Sequence, residues 1–221
     1  MSPLKVETGP MFSEKTSTII SGIHRLERAG HQNNVNFLVI NNKIDIRYGD
    51  NIIGSHKGEK YPALGVADSH QLLDLITQET GSDRKIRPGF SQLVAIFIDE
   101  AQFFDSGLPD VLEYLDDLFL QSTGREINIH IAGLDTDFAR RPFGPMPAIM
   151  SKAIEVNKHT AVCTVPNGGG KLCGQPAVYT QRLVNGEPPN YDDPVVVIGA
   201  EETYTARCRH HHVVYNKPKP K

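Results

Sequence analysis

Along the first 158 residues, short β-branched runs alternate with longer stretches of helical spacing, the pattern of a parallel sheet covered by helices. Leu4 to Thr8 reads as a first strand, followed by a Gly-Pro turn and a helix to about Ala29. Asn36 to Ile40, carrying the apolar run Phe37-Leu38-Val39-Ile40, reads as the second strand. Leu93 to Ile98 is apolar at odd and even positions alike, which suits a central strand with both faces covered. Ser69 to Glu79 and Pro109 to Gln121 read as helices, and Ile127 to Ala132 as a further strand. Asn41 to Tyr61 is rich in Asn, Gly, Asp and Lys without a clear period, so a mobile loop is expected there.

Beyond about His159 the pattern breaks down into Pro166-Asn167-Gly168-Gly169-Gly170, a Pro188-Pro189 pair, and strand candidates at Ala177 to Val184 and Pro194 to Ile198. A unit this small and loop-rich buries too little surface to hold itself together, so a metal staple is expected. The division that follows is an α/β domain over 1–158, a small unit over 159–216, and a disordered Lys-Pro-Lys-Pro-Lys tail over 217–221. With 221 residues the chain is long enough for a real core. No window approaches the roughly eighteen apolar residues of a membrane span, and the first residues lack the features of a signal or transit peptide. A soluble, cytoplasmic protein is the expectation. A net charge of −3 provides no basic field, so nucleic acid is not an expected partner. Three cysteines are too few, and of the wrong parity, for a disulfide framework, which suits a reducing compartment.

Chemistry enters with Gly9-Pro10-Met11-Phe12-Ser13-Glu14-Lys15-Thr16, between a strand and a helix, where a Walker A loop belongs. Lys15 would neutralise β- and γ-phosphates, Thr16 would offer a hydroxyl to Mg²⁺, and backbone N–H groups would cradle phosphate oxygens. Glu14 departs from the consensus, which has glycine there. A carboxylate about 4 Å from a phosphate charge is repelled by on the order of 4 kcal/mol at an effective dielectric near 20. At the end of the buried strand, Asp99 and Glu100 form a Walker B-like pair, Asp99 for the metal and Glu100 as a candidate base. Cys163, Cys173, Cys208 and His211 suit a tetrahedral Cys₃His zinc site with no open position, hence a structural one. The residues leave the choice among His210, His211 and His212 open.

Taken in order, these blocks resemble the type II, zinc-containing P-loop thymidine kinases. The likeness rests on Gly9-Pro-Met-Phe-Ser with Lys15-Thr16, on Ile98-Asp-Glu-Ala-Gln-Phe-Phe104, and on Gly133-Leu-Asp-Thr-Asp-Phe138-Ala-Arg-Arg-Pro-Phe143. It continues through Ala161-Val-Cys163 and Gly199-Ala-Glu-Glu-Thr-Tyr204-Thr-Ala-Arg-Cys208. Two departures are plain: Glu14, and nine residues rather than about two between Cys163 and Cys173. The resemblance implies a RecA-like P-loop fold with helices on both sheet faces and a zinc-bound lasso over the nucleoside. It implies transfer of the γ-phosphate of ATP to thymidine, with deoxyuridine a possible acceptor, and a homotetramer. It points to Glu100 as catalytic base beside Lys15 and Arg47, with Asp45, Asp99 and Gln102 near metal and phosphates. Met11, Phe103, Phe138, Phe143, Thr180 and Tyr204, with the backbone of Val195, Val196, Val197, Ile198 and Gly199, are implied around the nucleoside. A catalytically impaired nucleoside-binding homologue, with ATP excluded by Glu14, is the competing expectation.

Overall fold

The computed structural model describes residues 4–45, 49, 51–195 and 202–219. In chain order the elements are β1 (Leu4–Thr8), α1 (Lys15–Arg28), β2 (Phe37–Asn42), β3 (Ile52–Gly54), β4 (Lys60–Pro62) and β5 (Leu64–Val66). Then come α2 (Ser69–Ile76), β6 (Thr77–Thr80), β7 (Asp83–Ile86), β8 (Ala95–Asp99), α3 (Leu108–Thr123) and β9 (Asn128–Gly133). The remainder holds α4 (Met146–Lys152), β10 (Glu155–Lys158), β11 (Ala161–Val162), β12 (Pro176–Ala177), β13 (Tyr179–Val184) and β14 (Glu202–Arg207).

Six strands form the main sheet in the order β10-β1-β9-β8-β2-β5, and every pairing is parallel. Alternation along each strand sorts the core into two layers. Phe37, Val39, Ala95 and Phe97 pack with Ile19, Ile20 and Ile23 of α1 on one face. Leu38, Ile40, Ile96, Ile98, Ile129 and Ile131 pack with α2, α3 and α4 on the other. Burial on both faces is why β2 and β8 lack an exposed polar side, as the expected central strand requires. Because all strands point the same way, their carboxyl ends share one edge, and β9 separates β1 from β8 there.

Three sequence expectations need correction. The Ser69–Glu79 helix stops at Ile76, where the Thr77 hydroxyl bonds back to the Leu73 carbonyl at 2.7 Å. Thr77–Thr80 then pairs antiparallel with Asp83–Ile86, so the strand hydrogen bonds of this hairpin prevail over the helical preference of Gln78 and Glu79. Asn41–Tyr61 is not simply a loop: β3 and β4 form a hairpin within it. Ile53 and Tyr61 are buried in the α1 layer of the core, and the Tyr61 hydroxyl donates to Glu27 at 2.7 Å. Pro194 and Val195 are not in a strand, and the rest of the expected Pro194–Ile198 strand lies outside the described residues.

After β10 the chain builds two small antiparallel pairs, β11 with β12 and β13 with β14. Their shared apolar cluster among the described residues is Ala161, Cys163, Ala177, Ala206 and Cys208. At the chain's end, Lys217 donates to the Ala139 carbonyl at 3.3 Å, and Asn216 to the Asn190 side chain at 2.7 Å.

Candidate nucleotide site and metal centre

The loop joining β1 to α1 opens at the shared carboxyl edge. Gly9 has φ 132°, and a Cβ there would lie 2.4 Å from the His159 carbonyl oxygen, so no side chain is tolerated. Pro10 turns its carbonyl inward, where it accepts from the Ser13 hydroxyl and the Lys15 ammonium, each at 2.8 Å. Phe12 and Glu14 both adopt left-handed backbone, at φ 65° and 67°. The Glu14 value explains the consensus glycine at that position: a residue with a Cβ carries a backbone penalty of roughly 1–2 kcal/mol there. Its side chain leaves the loop and is 57% exposed, with Oε1 2.7 Å from the Lys57 ammonium. The carboxylate expected to crowd the phosphates is therefore solvent-exposed at the mouth of a cavity and paired with a lysine there.

Across the sheet edge, the Thr16 hydroxyl donates to Asp99 Oδ2 at 2.8 Å, joining the end of the phosphate loop to the end of β8. Asp99 is 4% exposed. Burial first, and the neighbouring Glu100 charge second, push its carboxyl up to about 7, against the opposing pull of the Thr16 hydroxyl, the Glu100 N–H and Lys15. A hydroxyl and a carboxylate this close are hard oxygen donors of the kind a magnesium ion takes, and a cation there would favour the ionised carboxylate. Glu100 sits in left-handed backbone at φ 52°. Its carboxylate accepts from Gln102 Nε2, and Gln102 Oε1 in turn accepts from the Leu134 N–H at 2.9 Å. Gln102, 2% exposed, thus holds Glu100 against β9. Asp45 lies just beyond β2, its N–H bonded to the Asn42 carbonyl at 3.0 Å. Arg47 lies outside the described residues.

Lys15, Thr16 and Glu100 line one cavity of about 120 Å³ with Met11, Phe12, Ser55, His56 and Lys57. That is below the roughly 300 Å³ at which pockets enclose a drug-sized ligand, and it suits a phosphate tail.

The candidate nucleoside residues group in part. Phe103 and Phe143 meet edge to face at 5.6 Å. Met11 N–H donates to the Thr180 hydroxyl at 3.0 Å, which ties the phosphate loop directly to β13. Phe138 is buried beneath the guanidinium of Arg182, 5.2 Å from its ring centre. Tyr204 faces Arg182 across the β13–β14 ladder, and Val195 is half-buried. Val196, Val197, Ile198 and Gly199 lie outside the described residues. Sequence reasoning missed Arg182. It is fully buried and donates to the Pro194 carbonyl, and only a buried Arg flanked by strand residues could have signalled it.

Cys163, Cys173, Cys208 and His211 bring one donor atom each to within 4.8 Å of all the others. His211 Nδ1 is 3.5 Å from Cys163 Sγ and 3.4 Å from Cys208 Sγ, while Cys173 and Cys208 sulfurs are 4.0 Å apart. Zinc bonds of about 2.3 Å to sulfur and 2.0 Å to nitrogen give tetrahedral edges of about 3.5–3.8 Å, so the donor set fits zinc. Burial opposes ionisation of Cys163, but backbone N–H groups of Cys208 and Val165, with His211 beside it, bring its thiol down to about 6. The nine-residue spacing is absorbed by a turn in which Asn167 N–H bonds to the Lys171 carbonyl at 2.8 Å, returning Cys173 to the cluster. The open histidine choice resolves by burial and partners. His212 Nδ1 lies 3.0 Å from Arg140 and its Nε2 3.2 Å from the Thr180 carbonyl. His210 is exposed and absent from the cluster.

A glycine-led loop, a lysine and threonine opening a helix, and an acidic pair two strands away along one parallel sheet define a P-loop nucleotide-binding protein of phosphotransferase type. Comparison with known proteins narrows this. The family model described as thymidine kinase matches residues 2–212. A thymidine kinase of Deinococcus deserti is 38% identical over 212 residues, covering 96% of this chain and 94% of its own. The chain belongs to the thymidine kinase family.

Proposed function

We propose that the protein transfers the γ-phosphate of ATP to the 5′-hydroxyl of thymidine, with deoxyuridine as a second acceptor, and so supplies thymidylate by salvage. The observation that carries this is the 2.8 Å bond from Thr16 to Asp99, which unites the phosphate loop and the acidic pair. The amides of Gly9 to Thr16 and the Lys15 ammonium bind the polyphosphate, and Thr16 and Asp99, with Asp45 nearby, would hold magnesium. Magnesium supplies charge neutralisation on the phosphate oxygens. Glu100, oriented by Gln102, takes the proton of the attacking 5′-hydroxyl, and Arg47 adds positive charge to the transferring group. Met11, Phe103, Phe138, Phe143, Thr180 and Tyr204 enclose the base, and main-chain groups of Val195 to Gly199 bond its edges. In this reading 1–158 is the nucleotide-binding domain, 159–216 a zinc-tied lasso closing over the nucleoside, and 217–221 a tail. The working form is a cytoplasmic homotetramer.

Support for an intact ATP site comes from the Glu14 carboxylate being exposed and paired with Lys57. The test is an assay with ATP, Mg²⁺ and thymidine beside deoxycytidine and deoxyadenosine. Thymidylate should form, with the other two acceptors far poorer; no thymidylate at micromolar enzyme overturns the proposal.

A further inference from the structure

The hairpin of β3 and β4 is seated against the phosphate loop. Its base is fixed in the core by Ile53 and Tyr61. Its tip is a turn closed by the Gly58 N–H to the Ser55 carbonyl at 2.9 Å, with Lys57 at the apex. Glu59 accepts from Ser17 of α1 at 2.6 Å and from Ser55 at 3.1 Å. The His56 ring lies against Phe12 of the phosphate loop, centroids 4.2 Å apart. These contacts leave Lys57 little freedom except along its own side chain. Its ammonium stands at the rim of the cavity that holds Lys15 and Thr16, 2.7 Å from the Glu14 carboxylate.

At this rim the charges do not favour an anion. Glu14 adds a carboxylate to the loop, and Asp99 and Glu100 sit across the edge. Among the described residues, Lys15 is the cation that the loop itself brings to this cavity. A polyphosphate entering the site would meet Glu14 as a like charge unless a second cation stood between them. Lys57 lines the same cavity and can supply that cation, and its pairing with Glu14 is exposed to solvent, the kind of ion pair that is readily exchanged for another partner.

Resting on the reading of this cavity as the phosphate site, we propose that Lys57 is a further polyphosphate-binding residue, held at the loop by Glu14 and handed to the phosphates when nucleotide arrives. The carboxylate in the glycine position then acts as a holder for a cation. The requirement for Lys57 is created by Glu14. Glu14 raises the pKa of Lys57, which keeps the ammonium charged throughout the neutral range.

A double-mutant cycle tests this on the full-length, zinc-loaded protein. ATP affinity is measured by calorimetry, independently of turnover, for the parent, Lys57→Gln, Glu14→Gly and the pair, with Lys57→Arg as the charge-retaining control. Lys57→Gln should weaken ATP about tenfold, the order expected for one charge-assisted contact. Thymidine affinity and melting temperature should not change. Lys57→Arg should stay within about threefold of the parent. In the Glu14→Gly background the same Lys57→Gln change should cost less than twofold. Unchanged ATP affinity in Lys57→Gln overturns the proposal, and so does an equal loss in both backgrounds, which would leave Glu14 no part in it. A Lys15→Ala protein that binds ATP as tightly as the parent would instead strike the reading of the cavity itself.

Discussion

In the six-stranded sheet both faces are covered, and residues such as Phe37, Leu38, Ile96 and Phe97 are excluded from water by helices on either side. The unit after β10 has a described apolar cluster of three alanines and two cysteines, Cys163 and Cys208, both members of the metal-binding set. The first region is held by area removed from water, at about 25 cal/mol per Å², and the second by a cluster whose donor set would draw its stabilisation from a bound zinc ion. The difference teaches that the two sides of the same site answer to different perturbations. The phosphate loop grows from the sheet and should tolerate metal loss, while the segment facing it through Thr180 should not.

The largest expected effect is therefore metal removal. Chelation, or Cys208→Ser, should abolish thymidine phosphorylation and the folded signal of the C-terminal unit while a separate cooperative melt of the sheet persists. A single transition lost as a whole in calorimetry would break the comparison. Next, Glu100→Gln should lower kcat by about 10²–10⁴ with little change in the thymidine KM, because it removes the proposed base and leaves both regions folded. Within the sheet, Ile96→Ala should cost about 2–5 kcal/mol in denaturant unfolding, since Ile96 is fully buried between β2 and β9. At the junction, Thr180→Val leaves the Met11 N–H without its acceptor, a loss of about 1–3 kcal/mol. It should appear in nucleoside and ATP binding together, as weaker affinity by calorimetry.

The smallest effect is in pH. His130 stacks on Phe97, 5.0 Å between centroids, and burial first, then the Lys5 charge, lower its pKa from 6.5. The folded protein therefore takes up this proton at a lower pH than the unfolded chain, which protonates near 6.5. Stability from His130 is thus fully present above that pH and is lost as pH falls toward the lowered folded value. His130→Gln should flatten the fall in sheet stability on acidification from pH 7 to 5, measured by urea midpoints, and should leave the unit after β10 unaffected.

How much was legible depended on the length of the signal. β2 and β8 were readable because a strand buried on both faces carries a near-continuous apolar run. β3, β4, β6 and β7 are three or four residues long, pair antiparallel at the periphery, and carry no alternation that separates them from loop. For the site, Gly9, Lys15, Thr16, Asp99 and the Cys₃His set could be nominated because the chemistry proposed for them demands particular residue types at particular places. Lys57 and Arg182 could not, since lysine in a polar loop and arginine beside a strand are both ordinary.

From its residues alone the chain determined a layered parallel sheet, a phosphate loop at one end of its first strand, an acidic pair on another, and a Cys₃His set, because each of these is a local pattern of type and spacing. Folding in three dimensions decided which way the Glu14 carboxylate points, which histidine joins the cysteines, and that Lys57 stands at the loop. Each of those depends on the distance between side chains far apart in sequence, and only the register of strands and the seating of a hairpin set such distances.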